Sequence, residues 1–305
     1  MPGYDGPVID PHHHLWDLSL GKHPWLAPRP GKEHSLGDLA SLRRNYLFDD
    51  YLFDSAGQNI VSTVHVEAAW TEEDCLGETR WLETLDKRRG VASRYVAHVP
   101  LKSRQAPALV TAQASFARVV GIRDILSWHK NPALTFAERG DVMDDPAWRR
   151  GLSSLAAHDL AFDLMIFASQ LGDALRLAQA FPNQRFVLNH SGSPIDRDEA
   201  SMAGWRAGIK ALASAENVAI KISGLTGYDP QWSLDSLRPL ILHCIESFGP
   251  QRTMMASDFP VTGLHASFTE TYAVYRAVTA GFSASEQQAL FFDTAKRIYK
   301  VPVEI

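Results

Sequence analysis

Three consecutive histidines, His12, His13 and His14, lie near the start of the chain in the segment VIDPHHHLWD, residues 8–17. Apolar residues flank the run on both sides, which is typical of a strand end and not of a terminal affinity tag. Because alternate residues of a strand share a face, we expect His12 and His14 to point the same way and His13 to point elsewhere. Two imidazoles on one face can bind one metal ion or one substrate oxygen. They could also be supporting histidines that contact neither.

Two later segments end in residues of similar chemistry. FVLNH ends at His190, and MMASDFP contains Asp258. A carboxylate can act as general base on a water that histidines, or a metal ion, hold and polarise. Each residue also has a structural interpretation, because Asp258 could cap the next helix and His190 could be a buried turn histidine. Taken together, three imidazoles and one carboxylate favour hydrolytic chemistry.

The elements that position these residues follow from hydrophobic patterning. Short apolar runs without period-two alternation predict strands that are covered on both faces. Between them lie helical patterns with Asp, Ser, Gly and Pro at their ends. This alternation, repeated eight times, predicts an α/β fold of the (β/α)8 TIM-barrel type over residues 1–305 as one domain. The predicted strands are 8–10, 60–67, 94–99, 119–125, 162–166, 185–189, 218–223 and 253–257.

Two connections are longer than a barrel requires, namely residues 15–35 after strand 1 and residues 126–143 after strand 4. Both leave the carboxyl ends of strands, the face where barrel enzymes place their active sites. Both contain Trp, Pro and charged residues. We therefore expect them to form walls or lids over a pocket, although surface decoration would also fit.

Charged residues inside apolar strands are costly unless they are paired or functional. Glu67, Arg123 and Lys221 lie at the ends of predicted strands 2, 4 and 7. The two basic residues could bind an anionic or hydroxyl-rich substrate or stabilise an oxyanion, and a structural ion pair with Glu67 is an equal alternative. Trp70 and Trp128 could stack on a substrate ring, although packing is the commoner role of any single aromatic residue.

Composition excludes several classes of partner. Hydrophobic residues make up 45% and charged residues 21% of the chain, and the formal net charge is −5. Without a long basic run, nucleic acid and anionic membranes are not expected partners. No apolar stretch reaches transmembrane length, and no signal pattern opens the chain. We expect a cytoplasmic protein that acts on a small molecule, with a homo-oligomer left open. Cys75 and Cys244 are expected to be free thiols.

Eight ordered motifs across nearly the whole chain give a resemblance. They are IDPHHHLWD, VHVEA, ETRWL, VVGIR, FDLMIF, FPNQRFVLNHSGSP, NVAIKISGL and ASDFPV. The set resembles the amidohydrolase-related (β/α)8 hydrolases that include L-fuconolactonase, L-rhamnonolactonase and pyrone-dicarboxylate lactonase. The resemblance implies a lactonase in which His12, His14 and His190 are the site histidines and Asp258 activates water. It also matches Arg123 and Lys221 to positions on the substrate side.

The resemblance has departures that bear on metal and substrate. Many relatives have a lysine in the segment that corresponds to residues 189–194, and this chain has none there. Strand 4 has Arg123 where other amidohydrolases have a metal-bridging lysine, which argues against a binuclear centre. One zinc or manganese ion bound by His12, His14, His190 and Asp258 would fit the ligand chemistry, and metal-independent catalysis is the alternative.

Two other functions remain open at this level. Asp10-x-His12-x-His14 also fits metal-dependent decarboxylases of aromatic or muconate-type acids, which share this barrel. A non-catalytic barrel that senses a sugar acid is a third possibility, but a binding protein has no need of a general base.

Overall fold

The structure, a computed structural model, describes residues 3–28, 36–229 and 231–303. Eight parallel strands form one sheet in sequential order from β1 to β8. All eight predicted strands are present, with ends that shift by up to three residues. Their bounds are Val8–His13 (β1), Ile60–Val66 (β2), Arg94–His98 (β3), Val119–Ile125 (β4), Ala161–Met165 (β5), Phe186–Leu188 (β6), Val218–Ile222 (β7) and Thr253–Met255 (β8).

Hydrogen bonds between β1 and the segment after β8 bring the two ends of the sheet together. The Asp258 N–H donates to the His12 carbonyl at 2.8 Å, and the His14 N–H donates to the Phe259 carbonyl at 2.8 Å. The sheet therefore curls into a barrel, and Asp258 is held directly against the histidine run. This confirms the predicted TIM-barrel class.

The strands are apolar on both faces because each face packs against other parts of the protein. One face forms an inner cluster in which β-strand residues such as Ile9, Val66 and Val187 pack with Phe292 and Tyr299 from the C-terminal segment. The other face packs against the surrounding helices. Burial of both faces explains why the strands read as continuous apolar runs.

Helices alternate with the strands as predicted, and the second helix is shorter than its sequence pattern suggests. The charged segment 72–90 predicts a helix to Gly90, but the α-helix is confined to Gly77–Thr84. Among the described residues, no helix combines the length and hydropathy that crossing a bilayer requires. The helices are Phe48–Asp54 (α1), Gly77–Thr84 (α2), Ala106–Ala114 (α3), Pro146–Ser153 (α4), Leu171–Ala180 (α5), Glu199–Leu212 (α6), Leu234–Phe248 (α7), Phe268–Thr279 (α8), Ala284–Gln288 (α9) and Thr294–Ile298 (α10).

The two long connections lie where the sequence predicts them. The described residues between β1 and α1 form short 3-10 turns and an antiparallel bridge between Trp16 and Tyr46. The connection between β4 and α4 ends at Asp145, whose side chain accepts from the Ala147 N–H and caps α4. Both connections contribute walls to the cavity described below. Residues 29–35 of the first predicted wall lie outside the described residues.

Candidate active site

A cavity of about 1270 Å³ opens at the carboxyl ends of the strands. Its floor includes His14, Arg123, His190 and Asp258, from strands β1, β4, β6 and β8 or the residues that follow them. The connection after β4 adds an apolar wall that includes Phe136, and the turns after β7 and β8 add further lining residues. The predicted polar residues from distant parts of the chain therefore meet at one rim of the barrel.

Three histidines surround the Asp258 carboxylate. Its Oδ1 lies 3.6 Å from His12 Nε2 and 3.4 Å from His14 Nε2, and its Oδ2 lies 3.8 Å from His190 Nδ1. The His12 ring centroid is 5.0 Å from that of His14 and 4.7 Å from that of His190. All four side chains are buried. We refer to His12, His14, His190 and Asp258 as the mouth cluster.

Unusual backbone conformations position two members of the mouth cluster. His190 has φ 51° and Asp258 has φ 56°, in the left-handed region that non-glycine residues rarely adopt. Strained residues of this kind concentrate at functional sites, where the surrounding structure holds them in place. Gly224, at φ 63°, lies between them, and an added Cβ there would be 3.0 Å from His190 Nδ1 and 3.2 Å from Asp258 Oδ2. Only glycine leaves that gap open.

Hydrogen bonds fix the orientation of two of the imidazoles. His14 Nδ1 donates to the Val66 carbonyl at 2.7 Å, so its proton is on Nδ1 and Nε2 faces Asp258. His190 Nδ1 is 2.9 Å from the Ser223 hydroxyl. A histidine that binds a metal ion commonly has its other ring nitrogen bonded to a carbonyl or similar partner. These contacts orient the rings toward the space around Asp258.

The donor set fits a single divalent ion. One ligand atom each from His12, His190 and Asp258 lie within 4.8 Å of one another. Both ring nitrogens of His12 are buried and have no hydrogen-bond partner among the described residues. A buried polar atom without a partner is costly, so the two ring nitrogens of His12 are suited to bind a water, an ion or a ligand. His14 lies outside this three-residue set, although its Nε2 is close to Asp258.

The ionisation of the mouth cluster suits base catalysis. Burial lowers the pKa of His190 to about 4, with the Asp258 charge opposing the shift. Burial, followed by the nearby Lys221 charge, lowers the pKa of His12 well below its usual range. Burial alone would raise the pKa of Asp258, but His190, the His14 hydrogen bond and Arg123 outweigh it, and the net shift is downward. At neutral pH Asp258 is an anion beside two neutral imidazoles.

Two residues of the histidine segment point away from the cavity. His13 Nε2 is 2.7 Å from the Thr63 hydroxyl, and its ring packs on Tyr51, as strand alternation predicts. The Asp10 carboxylate accepts from the Tyr51 hydroxyl at 2.8 Å and from the Ser257 N–H and hydroxyl at 2.9 and 2.5 Å. Asp10 therefore supports the strand end on which His12 lies and is not in the three-residue metal set.

Glu67 and Arg123 form the ion pair that the sequence left as an alternative to substrate binding. Arg123 Nε donates to Glu67 Oε1 at 2.5 Å, and its Nη2 donates to the Glu67 carbonyl at 2.7 Å. Burial opposes ionisation of Glu67, but the Arg123 charge prevails and lowers its pKa. Arg123 also lines the cavity. The pair is structural and at the same time holds a guanidinium at the cavity floor.

Lys221, which was predicted to bind the substrate, lies outside the cavity lining. It is fully buried, its Nζ is 2.5 Å from Asp163 Oδ2 and 3.2 Å from the Pro11 carbonyl, and it does not line the cavity. Asp163 also accepts from Asn189 Nδ2 at 2.9 Å and from the Tyr299 hydroxyl at 2.7 Å. We call Asp163, Asn189, Lys221 and Tyr299 the interior cluster. Lys221 therefore exposes no atom with which to contact a substrate in the cavity.

The predicted tryptophans likewise lie outside the cavity lining. Trp70 is buried and stacks on Trp81, and the Trp128 ring covers Gly140. The aromatic residues that do line the cavity are Trp25, Phe136 and Tyr228. From the sequence, Trp25 and Tyr228 are loop aromatic residues near the barrel mouth that could stack on a ring, as Trp70 and Trp128 could. Phe136 has no sequence signal for its place in the cavity, because nothing in a loop sequence distinguishes a ring that faces a cavity from one that packs.

With this geometry established, comparison with known proteins identifies the family. The sequence matches the family described as Amidohydrolase (Amidohydro_2) over residues 9–301. The chain belongs to the amidohydrolase family. It is 36% identical to protein y4mH of Sinorhizobium fredii over 97% of this chain and 99% of that one. It is 29% identical to an L-fucono-1,5-lactonase of Burkholderia multivorans, over 96% of each chain.

Solved structures agree with the assignment. An amidohydrolase from Burkholderia multivorans with bound zinc superimposes with a TM-score of 0.82 at 27% identity, covering 97% of this amidohydrolase and all of that chain. A 5-carboxyvanillate decarboxylase from Sphingomonas paucimobilis shares the fold at 15% identity, with a TM-score of 0.65 over 97% of this chain and 99% of that one. Family membership supports an enzyme of the hydrolase type that acts on small molecules.

Proposed function

We propose that this amidohydrolase opens a lactone, the cyclic ester of a sugar acid or a related carboxylic acid. The proposal rests on one observation above all, the Asp258 carboxylate surrounded by His12, His14 and His190 at the floor of a cavity. The similarity to an L-fucono-1,5-lactonase over nearly the full chain supports the same reaction.

Each residue has a defined part in this reaction. Asp258 removes a proton from a water molecule, whose oxygen attacks the lactone carbonyl carbon. The histidines position that water and polarise the carbonyl. The Arg123 guanidinium, held by Glu67, stabilises the negative charge of the tetrahedral intermediate. The bond between the carbonyl carbon and the ring oxygen then breaks, and the ring oxygen takes up a proton to become a hydroxyl.

The same residues could hold a divalent ion. His12, His190 and Asp258 would be its ligands, with His14 adjacent, and zinc or manganese suits this mixture of nitrogen and oxygen donors. Such an ion lowers the pKa of a bound water and polarises a carbonyl oxygen.

Decarboxylation is the second candidate, because a decarboxylase shares the fold and Asp10 precedes His12 and His14 in a compatible pattern. The contacts of Asp10 argue against it. Hydrogen bonds from Tyr51 and Ser257 hold this carboxylate away from the three-residue metal set. A metal site that depends on Asp10 would need those bonds to break.

A lactone panel, followed with a pH indicator with and without chelator, tests the proposal. We expect acid release from at least one hydroxylated lactone. Loss of activity with chelator and recovery with zinc or manganese would show a metal requirement, and unchanged activity would show metal independence. Carbon dioxide release from a carboxylated aromatic acid, with no lactone opened, would overturn the proposal. Binding of a sugar acid without turnover would favour the sensor instead.

A further inference from the structure

The turn that follows Asp258 brings another side chain to the cavity. The Thr262 N–H donates to the Asp258 carbonyl at 2.9 Å, so Thr262 lies one turn beyond the proposed base. The N–H groups of His265 and Ala266 donate to the Thr262 carbonyl, each at 3.0 Å. This bonding fixes Thr262 relative to Asp258, and both residues line the cavity.

Two buried polar atoms on this turn have no hydrogen-bond partner among the described residues. Thr262 is 3% exposed, and its hydroxyl is buried with no hydrogen-bond partner among the described residues. The same part of the structure offers no partner to the buried Nε2 of His265, which also lines the cavity. The Trp232 indole N–H donates to the His265 carbonyl at 2.9 Å and anchors that end of the turn. Buried hydroxyls and imidazoles in proteins are normally bonded, so these two atoms are suited to a ligand.

A hydroxyl group of the substrate matches both atoms. A threonine hydroxyl donates one hydrogen bond and accepts others, and a neutral imidazole nitrogen can do either, depending on its tautomer. Neither side chain has a fixed charge that would select an anion. Because Thr262 is one turn from Asp258 and both line the cavity, we expect a group bound by Thr262 to lie close to the carbonyl that Asp258-activated water attacks. In a cyclic ester, the nearest substituent is on the carbon adjacent to the carbonyl.

We propose that Thr262, assisted by His265, binds the hydroxyl on the carbon adjacent to the lactone carbonyl and thereby selects 2-hydroxy lactones. This inference rests on the proposed lactonase function and adds a specificity subsite to it. The hydroxyl of the substrate would supply the bonds that the Thr262 hydroxyl and His265 Nε2 lack within the part of the chain that the structure describes. A site built to bond a hydroxyl discriminates strongly against an analogue without it, because its own buried groups are then left unpaired.

The test compares a 2-hydroxy-1,5-lactone with the matching 2-deoxy-1,5-lactone. We expect wild-type kcat/KM to be higher for the 2-hydroxy substrate, and Thr262→Val to reduce that preference by about tenfold, the cost of one lost hydrogen bond to a buried group. Thr262→Ser, which keeps the hydroxyl, should preserve the preference. Thr135→Val is the matched control, because Thr135 also lines the cavity but its hydroxyl bonds the Ala137 carbonyl, and it should leave the ratio between substrates unchanged.

Three results would contradict the inference in distinguishable ways. Equal losses on both lactones for Thr262→Val would assign Thr262 a merely structural role and overturn the subsite. Loss of the preference in Thr262→Ser as well would show that the hydroxyl is not what selects. If wild-type protein opens neither these lactones nor any other in the panel, the lactonase proposal fails, and the subsite fails with it.

Discussion

The mouth cluster and the interior cluster are both groups of buried polar side chains inside the same barrel, but they differ in how closely their carboxylates are bonded. In the interior cluster, the Asp163 carboxylate is bonded by Lys221, Asn189 and Tyr299 at 2.5–2.9 Å. In the mouth cluster, the three histidine nitrogens lie 3.4–3.8 Å from the Asp258 carboxylate, and neither ring nitrogen of His12 has a hydrogen-bond partner within the described structure.

This difference separates structural charges from reactive ones. A buried ion pair that satisfies its own donors and acceptors has little left with which to bind a substrate. A cluster in which ring nitrogens lack hydrogen-bond partners and the carboxylate is not closely paired can bind a water, an ion or a carbonyl oxygen. Lys221 and Asp258 are both buried ionisable residues, so burial and charge alone do not distinguish a structural role from a reactive one. The hydrogen bonds that each side chain already makes within the protein do distinguish them.

The largest expected effect is on catalysis at the mouth cluster. Asp258→Asn removes the base but keeps the side-chain size, and we expect kcat on a lactone substrate to fall by about a thousandfold. The melting temperature should stay within a few degrees, because the described partners of the Asp258 carboxylate are imidazoles at 3.4–3.8 Å and not a closely paired cation. If Asp258→Asn instead fails to fold, the mouth cluster would be structural, as the interior cluster is, and the distinction between the two clusters would be wrong.

The interior cluster should show the opposite response. Lys221→Met leaves the Asp163 carboxylate buried without its cation, and we expect a loss of about 3–5 kcal/mol in the free energy of unfolding. Asp163→Asn combined with Lys221→Met removes both charges and should recover a large part of that loss. Denaturant unfolding of wild type and of both variants measures these changes. If Lys221→Met is fully stable and shows a specific rise in KM, Lys221 would instead be assigned to substrate binding.

The pH dependence of activity tests the ionisation of the mouth cluster. The pKa of His190 is lowered to about 4 from an ordinary 6.5, and that of Asp258 is lowered below 3.8. Protonation of either group as pH falls would disable the site. We therefore expect kcat/KM to be level from pH 7 to about 5 and to fall toward pH 4. Circular dichroism at each pH separates this fall from unfolding, and an acid limb near 6.5 would contradict the assigned ionisation.

A smaller effect is expected at Glu78, which is buried near the ion pair of Glu67. It accepts from the Ala68 N–H and lies 3.0 Å from His65 Nε2. Burial, aided by the Glu67 charge, raises its pKa from 4.5 to about 7. The folded state thus holds an extra proton, so this contribution to stability is present below pH 4.5 and is lost as pH rises through 7.

Glu78→Gln keeps the size and an acceptor oxygen but cannot titrate. We expect its free energy of unfolding to depend less on pH between 4.5 and 7 than that of wild type. The exposed Glu73, whose pKa is lowered by its bond with Thr71, provides the control, because Glu73→Gln should leave the slope in this window unchanged. Parallel curves for Glu78→Gln and wild type would contradict the raised pKa.

The fold was predictable because its signals are local and repeated. Eight apolar runs separated by helical patterns suffice to predict a barrel, since each strand must be covered on both faces. The ends of the elements were less predictable. The helix expected through Gly90 ends at Thr84, because a charged, helix-favouring sequence does not reveal where packing stops supporting it.

The candidate site was predictable only where residue type and strand position coincide. His12, His14, His190 and Asp258 each follow an apolar run, and parallel strands place their carboxyl ends on one rim. The contacts of Lys221, Trp70 and Trp128 depend on neighbours distant in sequence, which spacing does not encode. Gly224 and Ser223 were visible in the motif KISGL, but their contacts with His190 depend on how β7 lies beside β6.

The most direct test of the hydrolytic account is lactone turnover in ¹⁸O-labelled water by wild-type protein and Asp258→Asn, side by side, with the products analysed by mass spectrometry. The account predicts that wild type places one labelled oxygen in the new carboxyl group and that Asp258→Asn forms about a thousandfold less of this product per unit time. Label in the ring-derived hydroxyl, or the same rate of labelled product from both proteins, would contradict it.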